Sequence, residues 1–118
     1  MEVAALQRLE QVANVAHMHE YIAEAGSTAL ILERVRGPDL FDYVRVRECL
    51  CEHEARRIFS QVVRIVADCH KNGVLHRDIK DENILLDSFS KQVKLTDFGC
   101  STFLSSSDQC FRRFLGTL

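Results

Sequence analysis

Two short motifs contain most of the residues whose types could do chemistry. Residues 76–83 read His-Arg-Asp-Ile-Lys-Asp-Glu-Asn, and residues 97–99 read Asp-Phe-Gly. Carboxylate and amide oxygens are the ligands that a hard cation prefers, and a carboxylate can also accept a proton. Asp and Asn are equally common as ordinary turn residues, which is the alternative interpretation. The order of the motifs and the elements around them must decide between the two.

Helices are predicted on the N-terminal side of both motifs. Apolar residues three and four positions apart predict a helix over residues 2–13 and a longer one over residues 52–71, which Asn72-Gly73 would end. The residues expected on the buried face of the longer helix are Ala55, Ile58, Phe59, Val62, Val63, Val66 and Cys69. The break Gly37-Pro38-Asp39 predicts the start of a short helix, with Pro near its first position.

Short strands are predicted around the helices and the first motif. Residues 15–23 and 28–32 read as two strands that flank a turn with Gly26 at its tip. The apolar runs at residues 74–75, 84–86 and 93–95 predict further strands, whereas the Ser-rich tail from Cys100 lacks periodicity. The first motif therefore lies in a loop between a strand and a strand pair.

Composition excludes several classes of function. A formal net charge of -2 argues against a protein that binds nucleic acid, and no apolar run reaches the roughly 18 residues that cross a membrane. Five irregularly spaced cysteines favour reduced thiols, hence a cytoplasmic protein that is also compatible with the nucleus. Cys49, Cys51 and His53 lack the second ligand pair of a zinc site.

The order of long helix, His-Arg-Asp loop, two short strands and Asp-Phe-Gly resembles the eukaryotic protein kinase family, with Ile79 in place of the usual Leu. A finer resemblance is to the Pim family of serine/threonine kinases. The stretches that carry it are residues 31–34 (Ile-Leu-Glu-Arg), 39–43 (Asp-Leu-Phe-Asp-Tyr), 69–70 (Cys-His) and 73–85, which contains the first motif.

The resemblance implies an α+β, two-lobed protein-kinase-like fold, truncated at both ends, that runs from the helix called αC to the activation segment. Residues 1–32 would be a remnant of the N-terminal lobe, residues 33–37 the hinge, and residues 38–118 the upper C-terminal lobe with the catalytic loop. His76 and Phe98 would be packing residues that align this loop.

The resemblance also implies roles for the polar motif residues. Phosphoryl transfer chiefly needs positioning and neutralisation of charge. Asp78 would accept the proton of the substrate hydroxyl, Lys80 would neutralise the γ-phosphate of ATP, and Asn83 and Asp97 would bind Mg²⁺. A Lys two residues after the catalytic Asp is typical of serine/threonine kinases.

Residues outside the motifs would contact ATP. Glu2 would be the αC glutamate that pairs with an ATP-anchoring lysine, although neither that lysine nor a Gly-rich loop occurs in the chain. Leu32 would be the gatekeeper behind the adenine, and Leu85 the floor beneath it. Glu33 and Val35 would bound the part of the hinge that meets the purine, with the N–H of Val35 available. The alternative for these residues is core packing.

Four acidic residues match positions with which the family binds arginines upstream of the phosphorylated Ser or Thr: Asp39, Asp42, Asp81 and Glu82. Asp39 and Glu82 are also candidates near the nucleotide. Protein substrates with Arg or Lys upstream of the acceptor are therefore predicted. The alternative is that these carboxylates are simply solvated.

The activation segment, residues 100–115, has Arg112 and Arg113 where the family has acidic residues. Phosphorylation of Ser105, Ser106 or Ser107 is one alternative route to activation, and a mobile Ser-rich loop without a switching role is another. Apolar faces left open by truncation predict aggregation or a chaperone as partner. The rival function is that of a catalytically inactive kinase remnant or pseudokinase-like interaction module.

Overall fold

The structure, a computed structural model, describes residues 1–105 and 116–117. Its elements in chain order are α1 (Glu2–Arg8), β1 (Met18–Glu24), β2 (Ser27–Leu32), α2 (Leu40–Arg47), α3 (Glu52–Lys71), β3 (Val74–Leu75), a 3₁₀ turn (Asp81–Asn83), β4 (Ile84–Leu86), β5 (Val93–Leu95) and β6 (Thr102–Phe103). Within this described part of the chain the strands form three antiparallel pairs, β1–β2, β3–β6 and β4–β5. This mixture of helices and short strand pairs confirms the α+β class.

Helix α3 has the predicted bounds, but the prediction of its buried face was partly wrong. Its core side is formed by Ile58, Val62, Ile65 and Cys69, which recur every three or four residues. Phe59 and Val63 each follow a core residue and are rotated by about 100° around the helix, so they remain 69% and 50% exposed.

Helix α1 ends earlier than predicted. It stops at Arg8, and the chain continues in a turn in which the N–H of Val12 donates to the carbonyl of Leu9 at 2.9 Å. Asn14 then adopts a positive φ of 65°. Because the turn also brings every third residue to one side, Leu6, Leu9 and Val12 are still buried, which explains why the helical spacing extended too far.

The β1–β2 hairpin turns at Gly26 as predicted, where φ is 84°. The first strand begins at Met18 rather than at Val15, because residues 14–16 pair elsewhere. Val15 forms a parallel bridge with Leu95, and the N–H of Ala16 donates to the carbonyl of Leu95 at 2.9 Å. This segment therefore attaches the N-terminal part of the chain to β5.

Helix α2 begins at its expected break. Asp39 is the N-cap, since its Oδ1 accepts from the N–H of Asp42 at 2.8 Å, and Pro38 precedes the cap instead of occupying the first helical position. Strand β6 was not predicted. It is only two residues long and exists because Thr102 and Phe103 pair with β3.

The core lies between α1, α3 and the strand pair β4–β5, and its fully buried side chains include Leu9, Val15, Val74, Leu95 and Phe98. It fixes the ends of β3, β4 and β5, from which the two polar motifs extend. Within residues 1–105 and 116–117, no helix is long and apolar enough to cross a membrane.

Candidate active site

The pairing of β4 with β5 brings the two motifs together. Ile84 lies opposite Leu95, so the preceding Asn83 meets the following Thr96, whose N–H donates to the carbonyl of Asn83 at 3.0 Å. Asp97 comes next and has a positive φ of 61°. Residues separated widely in sequence are therefore held at one end of a strand pair.

His76 belongs to the first motif and connects it to the second. It is 2% exposed, and its ring packs edge-on against the buried Phe98 with centroids 4.7 Å apart. Nδ1 accepts from the N–H of Asp78 at 3.1 Å, and Nε2 therefore carries the proton that is donated to the carbonyl of Thr96 at 2.9 Å. Burial lowers the pKa of His76, which keeps this neutral tautomer. The predicted packing role of both rings is confirmed.

The Asp78 carboxylate lies at the centre of the loop. Its Oδ1 accepts from the N–H of Thr117 at 3.0 Å, and its Oδ2 accepts from the Asn83 amide at 3.3 Å and lies 3.9 Å from the Lys80 ammonium. Desolvation acts to raise the pKa of Asp78, but the hydrogen bonds from Thr117, the charge of Lys80 and the Asn83 amide outweigh it and lower the pKa. An ionised carboxylate is thus available to accept a proton.

Thr117 is a site residue that the sequence reasoning missed. Its hydroxyl accepts from the Lys80 ammonium at 2.6 Å while its N–H contacts Asp78. The preceding Gly116 has a φ of 122°, and a Cβ there would lie 2.7 Å from the Arg77 carbonyl. Only glycine fits this close approach. Gly116 was therefore the one local feature of the sequence that could have indicated the contact of Thr117 with the loop.

The metal candidates Asn83 and Asp97 fit the chemistry of Mg²⁺. The Asn83 amide nitrogen donates to the Asp78 carbonyl at 2.9 Å, and no described residue donates to its oxygen. Asp97 is exposed, and its Oδ1 accepts from the N–H of Gly99 at 3.2 Å. Two protein oxygens suit an ion that keeps several waters and phosphate ligands. Among the described residues, no group of three or more His, Cys, Asp or Glu side chains could hold a metal.

Glu2 reaches the second motif from α1. A Cβ placed on Gly99 would lie 3.9 Å from Glu2 Oε2 and 3.1 Å from Asp97 Oδ1. The carboxylate that the resemblance assigned to an ATP-anchoring lysine is therefore near the metal candidate Asp97. Its role toward ATP stays a prediction.

The candidate adenine residues surround the end of β2. Glu33 donates its N–H to the His17 carbonyl at 2.7 Å, and its carboxylate accepts from the His17 N–H at 3.2 Å and pairs with Lys94. Desolvation acts to raise the pKa of Glu33, but Lys94 and His17 outweigh it and lower the pKa. The N–H of Glu33 is thus occupied, whereas no described residue accepts from the N–H of Val35.

Two candidates for contact with the adenine remain, Leu32 at the end of a strand and Leu85 within one. Leu32 closes β2 and is 36% exposed, and Leu85 is half-buried in β4 and bridges to the backbone of Asp39. This bridge brings the candidate floor next to the segment that follows the hinge. Contact with a nucleotide stays a prediction for both leucines.

The four acidic candidates are partly used within the chain. Asp39 caps α2, and Asp42 pairs with Arg45 at 3.1 Å. Asp81 accepts from the N–H of Glu82 at 2.9 Å, and both are exposed. Because α2 packs against the 3₁₀ turn, all four belong to one neighbourhood.

The activation segment is described only at its start. Arg77, with a positive φ of 69°, donates from Nε to the Cys100 carbonyl at 2.8 Å. Ser105 is exposed. The other candidates, Ser106, Ser107, Arg112 and Arg113, lie outside the described residues.

Comparison with known proteins agrees with this geometry. CBL-interacting protein kinase 1 of Oryza sativa subsp. japonica is 42% identical over 100 residues, which are 85% of this chain and 21% of that protein. The delta subunit of calcium/calmodulin-dependent protein kinase type II of Oryctolagus cuniculus is 38% identical over 97% of this chain and 22% of its own length. A probable serine/threonine-protein kinase MARK-C of Dictyostelium discoideum is 49% identical over 66% of this chain and 10% of its own length.

The chain spans about a fifth or less of the length of these relatives. The model of the protein kinase domain, however, matches residues 1–118. Since the match covers both motifs and the structure brings their polar residues together, the chain belongs to the protein kinase domain family.

Proposed function

We propose that the protein transfers the γ-phosphoryl group of ATP to Ser or Thr hydroxyls of protein substrates. The observation that carries the proposal is the ionised Asp78 with Lys80 beside it and a threonine hydroxyl, that of Thr117, bonded to the same lysine. The site accommodates the aliphatic hydroxyl of Thr117 at hydrogen-bond distance from the Lys80 ammonium. The hydroxyl of a substrate Ser or Thr would therefore suit the site as phosphate acceptor. The names of the relatives, which include a serine/threonine-protein kinase, support the same choice.

In the proposed reaction the acceptor oxygen attacks the γ-phosphorus, the bond to the β–γ bridging oxygen breaks, and ADP leaves. Asp78 orients the hydroxyl and accepts its proton, and Lys80 offsets the negative charge on the γ-phosphate. Asn83 and Asp97 would hold Mg²⁺, which would supply neutralisation of the phosphate charge. Little covalent chemistry is required, so positioning by His76 and Phe98 contributes directly to the rate.

ATP is proposed to lie between the hinge and the floor residue. The hinge backbone from Glu33 to Val35 meets the purine edge, where Val35 offers an N–H from which no described residue accepts, and Leu32 and Leu85 contact the ring. Glu2 would pair with the cation of an ATP-anchoring lysine. Substitution of Leu85 by Asp should weaken binding of a fluorescent ATP analogue, and unchanged affinity would remove Leu85 from the site.

Substrates are proposed to carry Arg or Lys upstream of the acceptor, as in the Pim family that the stretches of residues 31–34 and 39–43 resemble. Asp81 and Glu82 support this most, because their carboxylates make no ion pair among the described residues. Replacing both by their amides should raise KM for an Arg-rich peptide more than for a peptide with neutral flanks. An equal effect on the two peptides would contradict the proposed preference.

The test of the enzyme proposal is transfer of radiolabelled phosphate from ATP with Mg²⁺ present. Asp97→Ala should abolish transfer, because it removes a metal ligand. Asp68→Ala is the matched control, since the only ion pair of Asp68 among the described residues is with Lys71 on the same helix. Equal background signal from the protein and from Asp97→Ala would contradict the proposal and favour an inactive remnant or interaction module.

A chaperone is proposed as an additional partner and the cytoplasm, with or without the nucleus, as the location. The chaperone rests on the apolar residues Phe59 and Val63, which α3 exposes, and the location rests on four free thiols in the described chain. Phe59→Lys should reduce co-purification with a chaperone, and a cooperatively melting monomer without chaperone would count against that partner. Recovery in a membrane or secreted fraction would contradict the location.

A further inference from the structure

A pocket of about 300 Å³ opens between Pro38 and α2, the N-terminal third of α3 and the turn that joins β4 to β5. None of the catalytic-motif residues lines it. Its apolar wall is formed by Pro38, Leu86 and Tyr43, and its polar lining residues are Arg47, Arg57, Lys91, Asp87 and Ser88. The pocket therefore combines an apolar surface with a group of cations.

The wall of this pocket is held by backbone contacts. The N–H of Leu86 donates to the Pro38 carbonyl at 2.9 Å, and that of Ser88 donates to the Arg36 carbonyl at 2.8 Å. A Cβ on Gly37 would lie 1.7 Å from the Leu86 carbonyl oxygen, so the two segments approach as closely as glycine permits. The cavity is thus formed before any ligand binds, which lowers the entropic cost of binding.

The charges around the pocket do not cancel. Its lining contains Arg47, Arg57 and Lys91 against Asp87, a formal charge of +2 that falls to +1 when Glu54, the partner of Arg47, is counted, in a chain whose net charge is -2. Arg47 pairs with Glu54 at 3.1 Å, but no ion pair among the described residues includes Arg57 or Lys91.

The acidic lining residue does not serve as their partner either. The Asp87 carboxylate accepts from the N–H groups of Phe89 at 2.8 Å and Ser90 at 3.1 Å. The guanidinium of Arg57 donates from Nη1 to the Lys91 carbonyl at 3.1 Å, which holds the two cationic residues together. Among the described residues neither Arg57 nor Lys91 has a carboxylate partner, so a ligand anion at the rim would meet both cations.

We propose that this pocket binds an acidic peptide segment of a partner protein. An aliphatic side chain of the segment would contact Pro38 and Leu86, while its carboxylates or a phosphorylated side chain would pair with Arg57 and Lys91. The apolar wall and the small volume favour a peptide over nucleic acid, which needs a longer basic track. The proposed phosphoryl transfer is not required for this binding.

The probe is a short fluorescein-labelled peptide that alternates glutamate and leucine, titrated with the full chain and followed by fluorescence anisotropy. We expect saturable binding that weakens as NaCl rises from about 0.05 M to about 0.5 M. The double variant Arg57→Gln/Lys91→Gln should bind about tenfold more weakly, since two exposed cations each contribute a modest attraction. Lys91→Gln alone should have an intermediate effect and leaves the Arg57 bond to the backbone intact.

Arg64→Gln is the matched control, because Arg64 is an exposed cation on the same helix outside the pocket. It should bind like the unmodified chain, and circular dichroism verifies that every variant is folded. Absence of saturable binding at low salt, equal binding by the double variant, or equal binding of a peptide with lysine in place of glutamate would each overturn the proposal. Tighter binding of a short oligouridylate that depends on the same two cations would assign the pocket to nucleic acid and overturn it as well.

Discussion

The neutral tautomer of His76 makes the stability of the fold depend on pH in a defined window. Its Nδ1 must remain unprotonated to accept from the N–H of Asp78, and burial lowers its pKa below the ordinary value of about 6.5. Below that value the unfolded chain binds a proton at His76 that the folded chain does not bind. Stability is therefore complete above about pH 6.5 and falls as the pH falls toward the folded pKa.

The size of this pH effect follows from the binding of a single proton. While the unfolded state alone is protonated, the free energy of unfolding should fall by at most about 1.4 kcal/mol for each unit of pH. The carboxylates with lowered pKa values, Glu33, Asp78 and Asp87, also lose stabilising charge on acidification, but only as the pH falls below about 4.5. These three carboxylates therefore do not contribute between about pH 6.5 and about pH 5, and the comparison with a His76 variant identifies the part of the slope that is due to His76.

Urea denaturation followed by circular dichroism at low protein concentration measures this slope. His76→Gln should lower the free energy of unfolding by about 1–2 kcal/mol at neutral pH, because it disrupts two hydrogen bonds, and should also remove the slope between pH 6.5 and pH 5. His70→Gln, at an exposed position of α3, is the control and should keep the slope. If the unmodified chain and His76→Gln lost stability equally over this range, the assigned tautomer would be wrong.

Three further predictions concern the packing that supports the site, and each is tested by urea denaturation. Phe98→Ala should lower the free energy of unfolding by about 3–5 kcal/mol, because it leaves a cavity at a fully buried position, and a loss below about 1 kcal/mol would contradict that burial. Asp39→Ala should cost about 1 kcal/mol through the lost N-cap, and no loss would exclude the cap. Gly37→Ala should cost more than Gly26→Ala, since its Cβ would overlap the Leu86 carbonyl whereas the Cβ at Gly26 meets no atom within 4 Å; the reverse order would refute the close approach.

Elements with a strong local pattern were predictable from sequence. Helix α3 has its predicted bounds because its apolar period, the Asn72-Gly73 end and its length agree with each other. The errors arose where the pattern was compatible with two structures. The turn after α1 keeps the helical spacing of Leu6, Leu9 and Val12, and spacing alone did not distinguish the inner face of α3 from Phe59.

The motifs identified the polar centre but not the contacts that complete it. Asp78 and Thr117 are 39 residues apart, and Glu33 and Lys94 are 61 apart, so no local period relates them. Strand β6 is formed by pairing with β3 and has no pattern of its own. These features depend on the tertiary fold, which is why the motif residues were found and their partners were not.

Asp78 as the acceptor of the hydroxyl proton is the residue on which the proposed phosphoryl transfer depends most directly. The measurement is the initial rate of radiolabelled phosphate transfer from ATP to an Arg-containing serine peptide, with Mg²⁺, by the protein and by Asp78→Asn at equal folded fraction. We predict Mg²⁺-dependent transfer that Asp78→Asn reduces by about a hundredfold or more, because the amide cannot accept the proton. Equal rates from the two proteins, or no transfer by either, would contradict phosphoryl transfer with Asp78 as the proton acceptor.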